Sequence, residues 1–285
     1  MARSANQYLK RLYAFWSLAI QSPSFLCSSL VLALIVLMSV FAPVVSPADP
    51  SAIDPAARLQ SPSMAHLMGT DTIGRDLLSR VIWGARSSIL VGIACAVLVV
   101  ISGLLVGVLT GYFRAVDMVG MRILDGLMAI PPILLAIALM TVIGSGVMTV
   151  VIAITIAELP RAARLVRAIT LSVRSQTYVE ASLTLGSSDL RNMWRNIVPA
   201  STGALIVHGT YLCGSAMLTE SVLSFIGAGI PTTIPTWGNI MAEGRALWQF
   251  KPGLVLFPAA ALCLTVLMLN MLGNVVRDIV DPRQK

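Results

Sequence analysis

The sequence predicts an all-α integral membrane protein with six transmembrane helices. Three observations carry that expectation. Of 285 residues, 56% are hydrophobic and only 12% charged, against about 25% charged in soluble domains. The apolar residues gather in runs of about 20, the number a helix needs to cross a hydrocarbon core. The basic residues cluster in alternate connections between those runs.

Taken in chain order, residues 1–24 place Leu9, Leu12, Trp16 and Ala19/Ile20 at helical spacing, with Lys10 and Arg11 opposite. That pattern predicts an interfacial helix on the inner leaflet. Residues 25–285 form the six-span domain. The first span, 25–45, is too long for a cleaved signal segment and lacks a small-x-small site, so it stays as an anchor. An outer loop over 46–87 follows, and a second span over 88–110 contains only Gly and Ser among its interruptions. The third, near 123–143, holds Pro131 and Pro132, which remove hydrogen bonds and predict a kink. The fourth, 147–167, loses its apolar character at Glu158, and Pro160 and three arginines follow. A cytoplasmic loop over 168–199 leads to the fifth span near 200–222. There Gly203, Gly209, Gly214, Ser215 and Thr219 suit close helix packing or a wet cavity better than lipid. An outer loop over 223–253 and a sixth span over 254–276 complete the series.

The positive-inside rule orients these spans. With the N-terminus inside, the inner segments hold 14 of the 20 basic residues, and the six others sit in outer loops with nearly as many acids. Arg161, Arg164 and Arg167 follow Glu158 at the inner end of span four, and Arg174, Arg191 and Arg195 fall between spans four and five. This places both termini in the cytoplasm and explains the net charge of +7 without nucleic acid. Cys27, Cys95, Cys213 and Cys263 lie inside apolar runs with no CxxC pair and read as small buried hydrophobes.

Catalytic equipment is missing. The three lysines precede Arg11, precede Pro252 or end the chain, so no Gly-Lys-Ser/Thr phosphate loop exists. His66 and His208 lack an HExxH context, and there is no GxSxG elbow. We expect no catalytic residues and no metal site, with His208 a hydrogen-bonded packing residue. Glu158 and Asp125 near inner ends, and Glu220 near an outer end, read as snorkelling or capping groups. That weighs against a stand-alone gradient-driven transporter or channel, which is the alternative of a different class.

The loop before the fifth span is the most informative stretch. Leu190, Met193, Trp194 and Ile197 recur as i, i+3, i+4, i+7. Ser187 or Ser188 can cap that helix, and Asp189 in its first turn suits the dipole. Gly186 stands between it and a shorter helix, where a left-handed residue is needed, and Pro199 closes the element. The bland reading is a loop helix packed on its own bundle; the sharper one is a docking helix for a cytoplasmic partner.

Glu180-Ala181-Ser182, then Gly186, then Ile197-Val198-Pro199 resembles the EAA loop of permease subunits in binding-protein-dependent ABC importers. Ser182 replaces the usual second Ala, and Val198 a common Leu. Gly69-Thr70-Asp71-Thr72-Ile73-Gly74-Arg75-Asp76, with Ser79-Arg80 and Gly84-Ala85-Arg86-Ser87-Ser88, resembles the segment before the second span in dipeptide, oligopeptide and nickel permeases. Pro235-Thr236-Trp237-Gly238-Asn239 and Arg277-Asp278 with Asp281-Pro282-Arg283 are similar to that family too, while Asn274 stands where an acid is expected.

The resemblance implies a type I ABC importer permease in a bacterial inner membrane. It implies a homologous second permease, one or two ATPase subunits that bind ATP and Mg, and an extracytoplasmic solute-binding protein. The chain itself would carry no cofactor. Glu180, Ala181, Ser182, Gly186, Asp189 and Pro199 would couple to the ATPase, and Asp71, Arg75, Asp76 and Trp237 would contact the binding protein or organise the outer loop. The implied cargo is a di- or oligopeptide, with nickel or another metal chelate as the alternative. On the residues alone, Asp71 can start a helix, Asp76 can pair with Arg80 at i+4, Leu77, Leu78, Val81 and Ile82 can rest on the membrane surface, and Trp237 can anchor at the interface.

Overall fold

The computed structural model describes residues 22–280. Leu9 to Ile20, expected as an interfacial helix, lie outside them. The regular structure is helical, apart from one β-bridge between Thr70 and Asp76. We number the longer helices α1 (Pro23–Val40), α2 (Leu77–Tyr112), α3 (Arg114–Met128), α4 (Pro132–Ile143), α5 (Val147–Arg174), α6 (Thr177–Thr184), α7 (Asp189–Phe225), α8 (Trp237–Gly244) and α9 (Gly253–Val280).

The bundle is built around α2, which packs along α5 and α7; α7 packs on α9, and α9 on α1. Glycines one turn apart set the approach of α2 to α5. A Cβ on Gly103 would stand 2.5 Å from the Ala162 Cβ, one on Gly107 2.6 Å from the Ala163 carbonyl oxygen, and one on Gly111 2.6 Å from the Thr170 Cβ. Small residues at this spacing let two backbones touch, and van der Waals contact then replaces the hydrophobic drive that lipid does not supply.

Helices α1, α2, α7 and α9 are each long and apolar enough to cross a membrane, and the bent pair α3–α4 adds a fifth crossing if it counts as one. The expected third span is thus not a single kinked helix. Helix α3 ends at Met128, α4 begins at Pro132, and their directions differ by 93°. Pro132 lacks an N–H to continue a helix, and its ring pushes Pro131 into extended geometry at φ −54°, ψ 133°. Helix α5 has the length for the expected fourth span, but its first eighteen residues already include Glu158, Arg161 and Arg164, too many charges for a plain apolar crossing.

The second span starts earlier than the apolar run suggests. Leu77, Val81 and Ile82 are buried inside α2 rather than lying on the membrane surface, because the polar residues among them face partners within the protein. Of the cysteines, Cys95 and Cys213 are buried but Cys27 and Cys263 are exposed on their helices. In a membrane helix the lipid side and the core side are equally apolar, so hydrophobic surroundings in sequence do not imply burial.

Candidate functional site

At the Tyr112 end of α2, α6 and the start of α7 form a helix pair folded about Gly186. Gly186 adopts φ +86°. Its N–H donates to the Leu183 carbonyl at 2.9 Å, and the Ser187 N–H donates to the Ser182 carbonyl at 3.0 Å. These two bonds form the Schellman motif that satisfies the last carbonyls of a helix. The Ser182 hydroxyl donates to Asn192 Oδ1 at 3.0 Å and ties α6 to α7, a bond that an alanine there could not make. Ser188 occupies the N-cap of α7 without a side-chain cap bond.

Pro199 does not close the segment. Residues Met193–Ile197 form a π turn in which the Val198 N–H donates to the Met193 carbonyl, and α7 runs through it into the long apolar helix. The wider turn relieves the clash a proline ring would make with the carbonyl four residues back. The predicted apolar stripe splits in two. Met193 and Ile197 bury against Val108, Tyr112, Val166 and Leu205. Leu190 and Trp194 stay 62% and 64% exposed, beside Leu185 at 88%. With Ser188, Arg191 and Arg195, Leu190 and Trp194 line an open groove of about 430 Å³. Glu180 and Ala181 are exposed on the same helix pair.

Helices α3 and α5 meet near this end through ion pairs. Arg167 donates to both Asp117 oxygens, at 2.6 and 2.7 Å, and Arg164 donates to Asp125. Arg161 donates to Glu158 at 2.9 Å. Asp125 and Glu158 are thus ion-pair partners rather than snorkelling groups.

The opposite end, near Leu77, holds a buried charge cluster. Asp71 accepts from Arg75 Nε at 2.6 Å and from Arg80 Nη1 at 2.8 Å. Arg75 and Arg80 both donate to Glu243 in α8. The expected roles of Asp71 and Asp76 are exchanged: Asp76 starts α2 by accepting from the Ser79 N–H at 2.8 Å, and Arg80 pairs with Asp71. A carboxylate at the N-cap satisfies a free N–H and suits the dipole, while Arg80, one turn on, points back to the loop. His66 Nδ1 lies 2.9 Å from Asp76. Burial pushes the Asp71 carboxyl up, but hydrogen bonds from the Ile73 and Arg75 N–H groups and the Arg75 guanidinium outweigh it, and the net shift is downward.

Trp237 is 1% exposed, so it is a core residue rather than an interfacial anchor. Its Nε1 donates to the Val81 carbonyl at 3.0 Å and its N–H to Ser88 Oγ at 3.2 Å. Asp71, Asp76 and Trp237 are buried and hold the loop and α8 together. Sequence reasoning missed Glu243, the fourth member of the cluster, because 163 residues separate it from Arg80. Glu220 is likewise fully buried, accepting from Ser224 Oγ at 2.7 Å.

A third feature is a cavity of about 560 Å³ between α5, α7 and α9, lined in part by Gly203, His208, Tyr211, Asn270, Asn274 and Arg277. His208 Nε2 is buried without a hydrogen-bond partner among the described residues, contrary to its expected role. No group of three or more His, Cys, Asp or Glu among the described residues is placed to hold a metal ion.

Residues 88–285 match the family described as "Binding-protein-dependent transport system inner membrane component". Residues 14–62 match the "N-terminal TM domain of oligopeptide transport permease C". A relative from Sinorhizobium fredii, named "Probable peptide ABC transporter permease protein y4tQ", is 45% identical over 249 residues, covering 87% of this chain and 85% of its own. The "Di/tripeptide transport system permease protein DppC" of Pseudomonas aeruginosa is 37% identical over 286 residues, covering 98% and 94%. Among solved structures, the MetNI methionine ABC transporter in inward facing conformations aligns with a TM-score of 0.55 at 18% identity. The alignment covers 71% of this chain and 96% of that one, a likeness of fold.

Proposed function

The chain belongs to the family of inner membrane components of binding-protein-dependent transport systems, and on that premise we propose that it forms, with a second permease, the passage of a di- or oligopeptide importer. It is the non-catalytic permease subunit of an ABC system, and its family carries no cofactor. Such a system also comprises ATPase subunits, a binding protein and a paired permease. The names of its relatives support the peptide cargo.

The observation that carries the coupling role is the helix pair about Gly186. Leu185, Leu190 and Trp194 leave an apolar surface unburied beside Arg191 and Arg195. A face this apolar on a rigid, capped segment suits a protein partner better than water. In this reading α6 and the first turns of α7 seat on an ATPase subunit, with Glu180, Ala181 and Asp189 at or beside the contact.

The proposed topology has six crossings: α1, α2, the bent pair α3–α4, α5, α7 and α9. The arginines of α5 support it, since a cytoplasmic position for 168–199 requires an even number of crossings between that loop and the N-terminus. Single cysteines test the arrangement. Those in 174–198 should react with an impermeant maleimide only from the cytoplasmic side, and those in 50–65 or 232–245 only from outside. Labelling of 174–198 from outside contradicts the topology and the docking role together. Proteoliposomes holding the whole complex should take up trialanine with ATP; uptake of a nickel chelate instead would reassign the cargo.

A further inference from the structure

Tyr112 closes α2 where three elements meet. Its hydroxyl donates to Asp189 Oδ1 at 2.7 Å, in the first turn of α7. Its carbonyl accepts from Arg174 Nη1 at 2.6 Å, at the end of α5. The Arg174 guanidinium also lies 5.1 Å from the centre of the Tyr112 ring, within cation–π range. The ring is buried against Val108, Val166, Met193 and Ile197. One residue, by its side chain and its main-chain carbonyl, therefore clamps the docking segment to both long helices at its base.

The other end of the same helix is fixed just as firmly. Asp76 caps α2, Arg80 joins Asp71 to Glu243 of α8, and the Val81 carbonyl receives Trp237 Nε1. The 36 residues of α2 run between these two sites without a break, a rod of about 54 Å at 1.5 Å per residue. It contains no proline, and its close contact with α5 through Gly103, Gly107 and Gly111 keeps the pair together. A rigid element anchored at both ends moves them together.

The geometry points to Tyr112 as the positioning residue through which the docking segment drives the opposite end of the bundle. The docking role of α6 and α7 is taken from the reading above. When an ATPase subunit displaces that segment, Asp189 pulls on the Tyr112 hydroxyl. Helix α2 shifts with it, carrying the Arg80 cluster and α8. Such transmission produces a measurable response at the far end.

That response is the reactivity of a reporter at Thr233→Cys; Thr233 is exposed and lines, with Arg75 and Arg80, a second cavity of about 850 Å³. The background carries Cys27→Ala and Cys263→Ala, in the complete complex in nanodiscs. The rate of labelling by an impermeant maleimide is compared in the nucleotide-free and ATP-vanadate states. We expect at least a fivefold difference, falling below twofold in Tyr112→Phe, which removes only the hydroxyl. Asp189→Ala, which removes the acceptor, should reduce it equally, and the double variant should be no worse than either single one, because both act on one bond. Subunit stoichiometry and melting temperature of Tyr112→Phe should match the parent. No difference in the parent, an undiminished difference in both variants, or additive losses in the double variant would each overturn the proposal. If Tyr112→Phe fails to assemble, Asp189→Ala alone decides. The assay needs no cargo, so a wrong peptide assignment shows in trialanine uptake and leaves this result standing.

Discussion

Arg80 is 1% exposed and has Asp71 and Glu243 as its partners. Taking it out leaves buried Asp71 with Arg75 as its remaining cationic partner and Glu243 short of one of its two donors. Arg80→Ala should therefore cost about 3–5 kcal/mol, the range for breaking a buried pair from one side, read as a loss of thermal stability of the purified chain in detergent. Arg80→Lys should recover part of it, since an ammonium cannot repeat the forked contact. The same cluster sets an acid limit. The folded Asp71 carboxyl titrates below the ordinary value, about 3.9 for a free side chain. Its stabilising contribution is therefore complete above about pH 4 and is lost as the pH falls through the lower, folded value. Melting curves should show that acid loss in the parent and a weaker one in Asp71→Asn; identical acid profiles would contradict the assignment. Gly186 is constrained by its backbone alone, because a Cβ there meets nothing within 4 Å. Asn, which tolerates the left-handed region, should be mild at this site, and Val should be costly by about 1–3 kcal/mol.

At the scale of elements, α2 and α5 depend on the glycine stripe. Gly107→Val would press a branched side chain onto the Ala163 carbonyl and the Val166 side chain, and overpacking of this kind costs about 1–3 kcal/mol. Reduced assembly with ATPase subunits, measured by co-purification, should accompany the lower melting temperature. The stripe was present in the sequence as Gly103, Gly107 and Gly111, yet nothing there said which helix would face it. The turn at Gly186 was fully legible, because a left-handed position between two short helices leaves glycine as the unstrained choice. Its neighbour Pro199 misled, since a proline reads as a stop, and the π turn that lets α7 continue has no signature in composition. Ion pairing within Gly69–Asp76 and onto α8 was half legible. The charges were there, but which acid caps and which acid pairs depends on where α2 begins.

For the whole molecule, the membrane class followed directly from the apolar runs, and the family from the motifs around Glu180, Gly186 and Asp76. The number of crossings was harder to read. Helix α5 carries its arginines within the expected span, and α3–α4 turns by 93° where a kink was expected. Charges inside a helix lower its hydropathy equally whether they meet lipid or pair with a neighbouring helix, as Arg167 does with Asp117. The absence of any phosphate-binding lysine predicts that the purified chain alone hydrolyses no ATP. Turnover by the isolated polypeptide, with contaminants removed, would contradict its place as the permease subunit. The central claim is that the segment about Gly186 couples this passage to an ATPase, and one comparison tests it most directly. Trialanine uptake by the complete complex is measured for the parent and for Gly186→Val at matched membrane abundance. The variant should assemble normally with uptake reduced at least tenfold, and uptake at the parental rate would contradict the coupling role.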